Sequence, residues 1–356
     1  MVDRPPNLVV FFTDQQRHDT TGIHGCPLDL TPNFDRLART GSDLHYAFTP
    51  NPVCGPARAC LQTGTYASTH GGVRNGVPLN PDLPHLAELL NRAGYHTAYF
   101  GKWHLGDPKS EGPVTRELRG GYRGWQASNL LEFTSDAYHT RLWDETNAPI
   151  DLPGYRVDAL ADATIRHIDR RVREQPDQPF MLMTSFLEPH HQNATDDYPA
   201  PEGYAERYRG QWLPPDLKAL GGSSDEHLPG YLGMVKRLDE ALGRIVDALT
   251  SLGVLEQTVI LFLSDHGCHF KTRNSEYKRS GHEASIRIPM MAHGGPFTGG
   301  GRIDQMLSLV DVAPTLLDVA GVPIPEAMEG RSFLPLVQGE RGAMEAWPDD
   351  VYVQVS

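Results

Sequence analysis

The chain has 356 residues and a formal net charge of −13, long enough for one large domain or two ordinary ones. Its acidity argues against nucleic acid as a main partner. No apolar run approaches membrane-spanning length, so the composition reads as a soluble globular protein. An acidic protein that handles an anion must build positive potential locally, from a metal and a few Lys or Arg.

In chain order, Leu8 to Phe12 reads as a buried strand. It is too short for a signal-peptide core and has no small-residue cleavage site after it. The compartment stays open: cytoplasmic as given, periplasmic or secreted if a leader was removed. Thr31 followed by Pro32 starts a helix. Asp82 to Arg92 places Leu83, Leu86, Leu89 and Leu90 on one helical face and stops before Gly94, and Tyr95 to Phe100 is a strand. Val157 to Val172 reads as a helix, Phe180 to Leu187 as a strand, and Tyr231 to Leu252 as a long helix ending at Gly253. Thr258 to Ser264 is a buried central strand, and Asp311 to Val319 a helix ending before Gly321. This alternation predicts an α/β fold with a largely parallel sheet. Residues 106–156 and 191–229 read as loops or insertions. Asp350 to Ser356 reads as a strand opening a C-terminal subdomain (341–356) that is cut short, after a catalytic domain over 1–340.

In open α/β sheets, ligands bind outside the carboxyl ends of the strands. Polar residues collect at such ends: Asp14 and Gln15, Lys102 and His104, His190, and Asp265 and His266. Any one alone reads as a turn residue or cap. Cys54-Gly55-Pro56-Ala57-Arg58 adds a fifth element. By itself Cys54 reads as a small buried hydrophobe, or as half of a disulfide with Cys60. The four cysteines, Cys26, Cys54, Cys60 and Cys268, form neither a disulfide framework nor a paired zinc pattern.

Together these segments resemble the type I sulfatases of the alkaline phosphatase-like superfamily. The resemblance rests on Asp14-Gln15, Cys54-x-Pro56-x-Arg58, Gly101-Lys-Trp-His-Leu-Gly106, Pro189-His190, Ser264-Asp-His-Gly267 and Lys278 through Arg287-Ile-Pro289. It implies a sandwich with a large mixed, mostly parallel central β-sheet flanked by helices. It also implies that Cys54 is oxidised by a maturation enzyme to Cα-formylglycine, whose hydrate attacks a sulfate ester. Asp14, Gln15, residue 54, Asp265 and His266 would hold a divalent metal. Oxygen-rich ligands favour Ca²⁺, while the His266 nitrogen allows Mg²⁺ or Mn²⁺. Arg58 would anchor the hydrate, and Lys102 and Lys278 the sulfate. His190 would protonate the leaving alcohol. His104 would take the proton that lets the sulfated intermediate collapse.

The resemblance implies a sulfated small molecule or saccharide as substrate, with no nucleic acid and no membrane as partner. A phosphonate monoester or phosphodiester hydrolase with the same nucleophile is the alternative. A non-catalytic binder of sulfated ligands follows if Cys54 stays unmodified. Relatives often carry a histidine where Arg273 stands, which makes His269, Lys271 and Arg273 candidate substrate contacts. His24, Arg74 and Asn75 are candidates for facing the leaving group. Oligomeric state is not legible.

Overall fold

The computed structural model describes residues 4–355. Eleven strands form one sheet: β1 (Asn7–Thr13), β2 (Ser42–Phe48), β3 (His96–Lys102), β4 (Gly124–Ser128), β5 (His139–Asp144), β6 (Pro149–Pro153), β7 (Phe180–Ser185), β8 (Thr258–Ser264), β9 (Arg287–Ile288), β10 (Met290–His293) and β11 (Gly301–Ser308). Their order is β11-β2-β10-β8-β1-β7-β3-β4-β5-β6, with β9 paired to β2. The middle run β8-β1-β7-β3-β4 is parallel, while β10, β5 and β6 join antiparallel.

Every residue of β1 is buried. A parallel strand covered on both faces must be apolar throughout, which explains the unbroken run from Leu8 to Phe12. Leu8, Val10 and Phe12 enter one core with the helices Cys54–Thr63, Leu86–Arg92 and Val312–Val319. Val9 and Phe11 enter the opposite core with the helices Pro32–Thr40, Arg156–Glu174 and Ser224–Ser251. The product is a helix–sheet–helix sandwich. Its parallel strands direct their carboxyl ends to one rim. Among the described residues no helix is long and apolar enough to cross a membrane.

Several expectations shift. The helix read from Asp82 begins at Leu86, because Pro84 biases Leu83 away from helical backbone and His85 is still extended. The long helix begins at Ser224, seven residues before Tyr231, and carries Pro229 near its start. Residues 106–156 are not mere loop: they contribute β4, β5 and β6 and extend the sheet. Residues 191–229 contain two short helices, Tyr204–Tyr208 and Pro215–Leu220. The described part of the final segment forms no strand. It lies along the fold instead, where Gln354 N donates to Pro50 O at 2.7 Å.

Candidate active site

Cys54 is the first residue of the Cys54–Thr63 helix and is buried. Pro56 sits in the first turn, where its missing N–H costs nothing. Arg58, one turn on, shares a helical face with Cys54. The amide ends of this helix favour negative charge beside residue 54. Asn75 Oδ1 accepts from Gly55 N at 2.9 Å and closes the loop over the helix start.

The neighbouring strands deliver the rest. Asp14 follows β1, and Asp265 follows β8 in register beside it. Arg58 Nη2 lies 2.9 Å from Asp14 Oδ2 and 3.1 Å from Asp265 Oδ2. Arg58 Nη1 donates to Lys102 O and to Ser185 Oγ, so the guanidinium is fixed to the ends of four strands, β1, β8, β3 and β7. Lys102, at the end of β3, reaches Asp14 Oδ2 at 2.8 Å and Cys54 Sγ at 3.7 Å. Gly101 lets β3 come this close: its φ is 100°, and a Cβ there would meet Ser185 O at 2.0 Å. Lys278 Nζ is 2.8 Å from Cys54 Sγ and 3.0 Å from His190 Nε2.

Charge in this cluster is organised rather than solvated. Burial opposes ionisation of the Cys54 thiol, yet Lys102, Lys278 and His266 hold its pKa well below the ordinary value. Burial and the Cys54 charge push Asp14 up, but Lys102, His190 and Arg58 outweigh them and leave it below the usual carboxylate range. Burial and then Asp14 raise Asp265. Burial, then Lys278, lowers His190, which favours its neutral form.

The donor set also fits a divalent cation. Asp14, Cys54, Asp265 and His266 each offer a ligand atom, all within 4.8 Å of one another. His266 Nδ1 donates to Gly267 O at 2.9 Å, which aims the Nε2 lone pair at this cluster. Gln15 Nε2 donates to Tyr198 Oη at 2.9 Å, while Oε1 is buried with no hydrogen-bond partner. Asp265 Oδ2 makes no hydrogen bond either, its one close partner being the Arg58 guanidinium at 3.1 Å. Buried acceptors without donors are what a cation satisfies. Tyr198→Phe is therefore expected to weaken divalent-cation binding by about 10–100-fold by freeing the Gln15 amide. Calorimetric titration with Ca²⁺ checks this, and an unchanged affinity refutes the orienting role.

A cavity of about 540 Å³ opens above Cys54, lined by His104, His190 and Lys278. Asn75 and Lys271 from the predicted substrate set also line it. The other predicted substrate residues do not. His24 pairs with Asp43 away from the cavity, and Arg74 and Arg273 are exposed outside it. His269 is buried behind the wall, where its Nε2 meets Lys278 O at 2.8 Å and positions that lysine's backbone. The four cysteines are free, and Cys60 faces His70 instead of Cys54.

Sequence reasoning missed Glu132. Its Oε1 lies 3.1 Å from Lys102 Nζ and 3.7 Å from His104 Nδ1. It stands in a segment that reads as loop and carries no spacing signal. Asp196, which accepts from Lys271 at 2.6 Å and from Tyr277 Oη at 2.9 Å, was likewise hidden in an insertion.

Comparison with known proteins places this arrangement in context. The family model described as Sulfatase matches residues 6–322. An ulvan-active sulfatase of Formosa agariphila is 30% identical over 341 residues, 94% of this chain and 65% of that protein. The chain thus spans just under two thirds of that relative. An arylsulfatase of Clostridium perfringens is 30% identical over 397 residues, covering 98% of this chain and 81% of that one. The solved yidJ protein of Bacteroides fragilis superposes with a TM-score of 0.84 at 26% identity, covering 96% of this chain and 80% of that chain.

Proposed function

This chain belongs to the sulfatase family of sulfuric ester hydrolases, and on that premise we propose that it cleaves a sulfate monoester on a saccharide, using formylglycine made from Cys54 and a divalent metal. The observation that carries this reading is the convergence of Lys102 and Lys278 on the Cys54 side chain, directly over the Asp14–Asp265–His266 cluster. The Sγ atom stands where the oxygens of a formylglycine hydrate would stand. That hydrate would supply a nucleophilic hydroxyl and a second hydroxyl for breakdown. The cation, held by Asp14, Gln15, Asp265 and His266, would polarise a sulfate oxygen and offset charge.

The chain's own groups have definite tasks. Lys102 and Lys278 bind the sulfate oxygens and stabilise charge that grows as the ester bond breaks. With residue 54 uncharged, the carboxylates of Asp14, Asp265 and Glu132 balance the cations of Arg58, Lys102 and Lys278. Added charge from a metal would then be met by the anionic substrate. His190 Nδ1 donates to His191 O at 2.6 Å, so Nε2 shares a proton with Lys278. This pair protonates the leaving oxygen. His104, backed by Glu132, is the base on the other side. A saccharide is supported by the cavity wall, where the amides of Asn75 and Asn193 and the carboxylates of Asp196 and Glu276 offer hydroxyl partners. Phe133, 54% exposed at the same wall, offers a face for a sugar ring.

His190→Ala should lower kcat/KM for a sugar sulfate by about 10²–10⁴-fold. It should change hydrolysis of nitrophenyl sulfate far less, because that leaving group departs without a proton. Equal losses on both substrates would remove His190 from the acid role. The reaction class is tested with matured enzyme on paired aryl sulfate and aryl phosphonate esters. A higher kcat/KM on the sulfate is expected. A dominant phosphonate rate would make the chain a phosphonate hydrolase, and no rate on either would make it a binder.

A further inference from the structure

A second cluster of metal-ligating side chains lies outside the cavity, where β2 meets the loop that leaves β1. Asp43 and His45 are two residues apart on β2 and so face the same side of the sheet. His24 approaches them from the short helical turn Gly22–His24. His24 Nε2 is 2.9 Å from Asp43 Oδ1, and His45 Nδ1 is 3.2 Å from Asp43 Oδ2. One ligand atom from each of the three lies within 4.8 Å of the others. The side chains are 1%, 4% and 13% exposed for His24, Asp43 and His45.

The hydrogen-bond partners frame the cluster. Thr21 Oγ1 lies 3.2 Å from His18 O and 2.8 Å from His24 Nδ1, and His24 Nε2 lies 2.9 Å from Asp43 Oδ1. In the tautomer whose Nδ1–H donates to Thr21, the Nε2 lone pair and the Asp43 carboxylate face a common point that a cation would fill. An imidazole that donates one nitrogen to an oxygen and offers the other to an ion is the usual setting of a metal-bound histidine.

The surroundings suit a metal. Two imidazoles and a carboxylate form the three-ligand set of zinc sites that keep a fourth position open. Bonds of about 2.0–2.1 Å in tetrahedral geometry put ligand atoms about 3.3–3.4 Å apart; the two contacts to Asp43 are 2.9 Å and 3.2 Å, and all three ligand atoms lie within 4.8 Å of one another. The nearby guanidinium groups are engaged elsewhere. Arg287 donates to His45 O and lies over the Tyr46 ring, and Arg302 bonds Asp304 at 2.6 Å. His18 is a further imidazole, its ring 6.4 Å from that of His24 and its buried Nδ1 without a hydrogen-bond partner.

We infer that His24, Asp43 and His45 form a second metal site for a borderline transition ion such as Zn²⁺, separate from the cluster beneath Cys54. The nitrogen-rich donor set selects Zn²⁺ or Co²⁺ over Ca²⁺. The ion ties the loop that begins at Asp14 and Gln15 to β2. This inference does not depend on the reaction proposed above.

The test uses the whole chain, stripped with chelator and titrated with Zn²⁺ by calorimetry and with Co²⁺ by visible absorption. The wild type should take up two equivalents. His45→Ala should retain one equivalent and show a smaller Zn²⁺-dependent rise in melting temperature than the wild type. Asp14→Asn should keep the His24 site and its tetrahedral Co²⁺ bands. Thr21→Val should weaken that site by about 10–100-fold, because the His24 ring loses its orienting acceptor. Should His45→Ala fail to fold, His45→Gln keeps a side-chain donor for Asp43 and must show the same lost equivalent. Unchanged Zn²⁺ stoichiometry and affinity in the position 45 variant would overturn the site. So would a single equivalent in the wild type that Asp14→Asn abolishes.

Discussion

Cys54→Ala should reduce sulfate ester turnover by about 10⁴–10⁶-fold while the protein still folds. The removed side chain is small, and the charges around it keep other partners: Lys102 retains Asp14 and Glu132, and Arg58 retains Asp14 and Asp265. Loss of the nucleophile should therefore appear in kcat with little change in melting temperature. Peptide mass spectrometry on wild-type protein co-expressed with the maturation enzyme provides the companion result. The peptide containing residue 54 should carry an aldehyde in place of the thiol, and only that fraction should turn over. Full activity in protein whose residue 54 is wholly thiol would disprove the formylglycine route.

Lys102→Ala should damage stability as well as rate. Lys102 is fully buried at the end of β3 and bridges Asp14 at 2.8 Å and Glu132 at 3.1 Å. Burial opposes its charge, but Asp14, Cys54 and Glu132 raise its pKa above the ordinary lysine value. Removing it leaves two carboxylates desolvated and less compensated, at a cost of about 3–5 kcal/mol. The same truncation removes a sulfate-oxygen donor, which costs about 10²–10³-fold in kcat. Denaturant unfolding and steady-state kinetics on one preparation measure both. A variant as stable as wild type would mean that a cation other than Lys102 compensates Asp14 and Glu132. The sign with pH follows from Glu132, whose pKa burial raises but Lys102 and His104 bring below the ordinary value. Its contribution is present above the unfolded glutamate pKa and is lost as pH falls through the lower folded one. In Lys102→Ala this acid-side loss should shrink.

Much of the site was legible because its groups sit at strand ends, where apolar runs stop and polar residues begin. Asp14 follows the run of β1, Asp265 follows β8, and Lys102 closes β3. Each is marked by a local change of pattern. The resemblance supplied their common purpose. What was not legible lies in segments without periodicity. Glu132 comes from a stretch that reads as loop, and the strands β4 to β6 around it are short with mixed polarity. His24, Arg74, His269 and Arg273 are candidate substrate contacts in the sequence, yet none lines the cavity above Cys54. Proximity along the chain does not determine which side of a wall a side chain occupies.

The sequence by itself determined which polar groups follow the strands, their order, and the strand–helix alternation that puts them on one rim. Those are properties of local composition and period. Only the tertiary structure decided that Tyr198 holds the Gln15 amide, that Glu132 backs Lys102 and His104, and that His24 meets Asp43 and His45. These contacts depend on how the insertions fold back over the sheet and on strand register between distant segments. Packing of the whole chain sets both, and no local pattern encodes either.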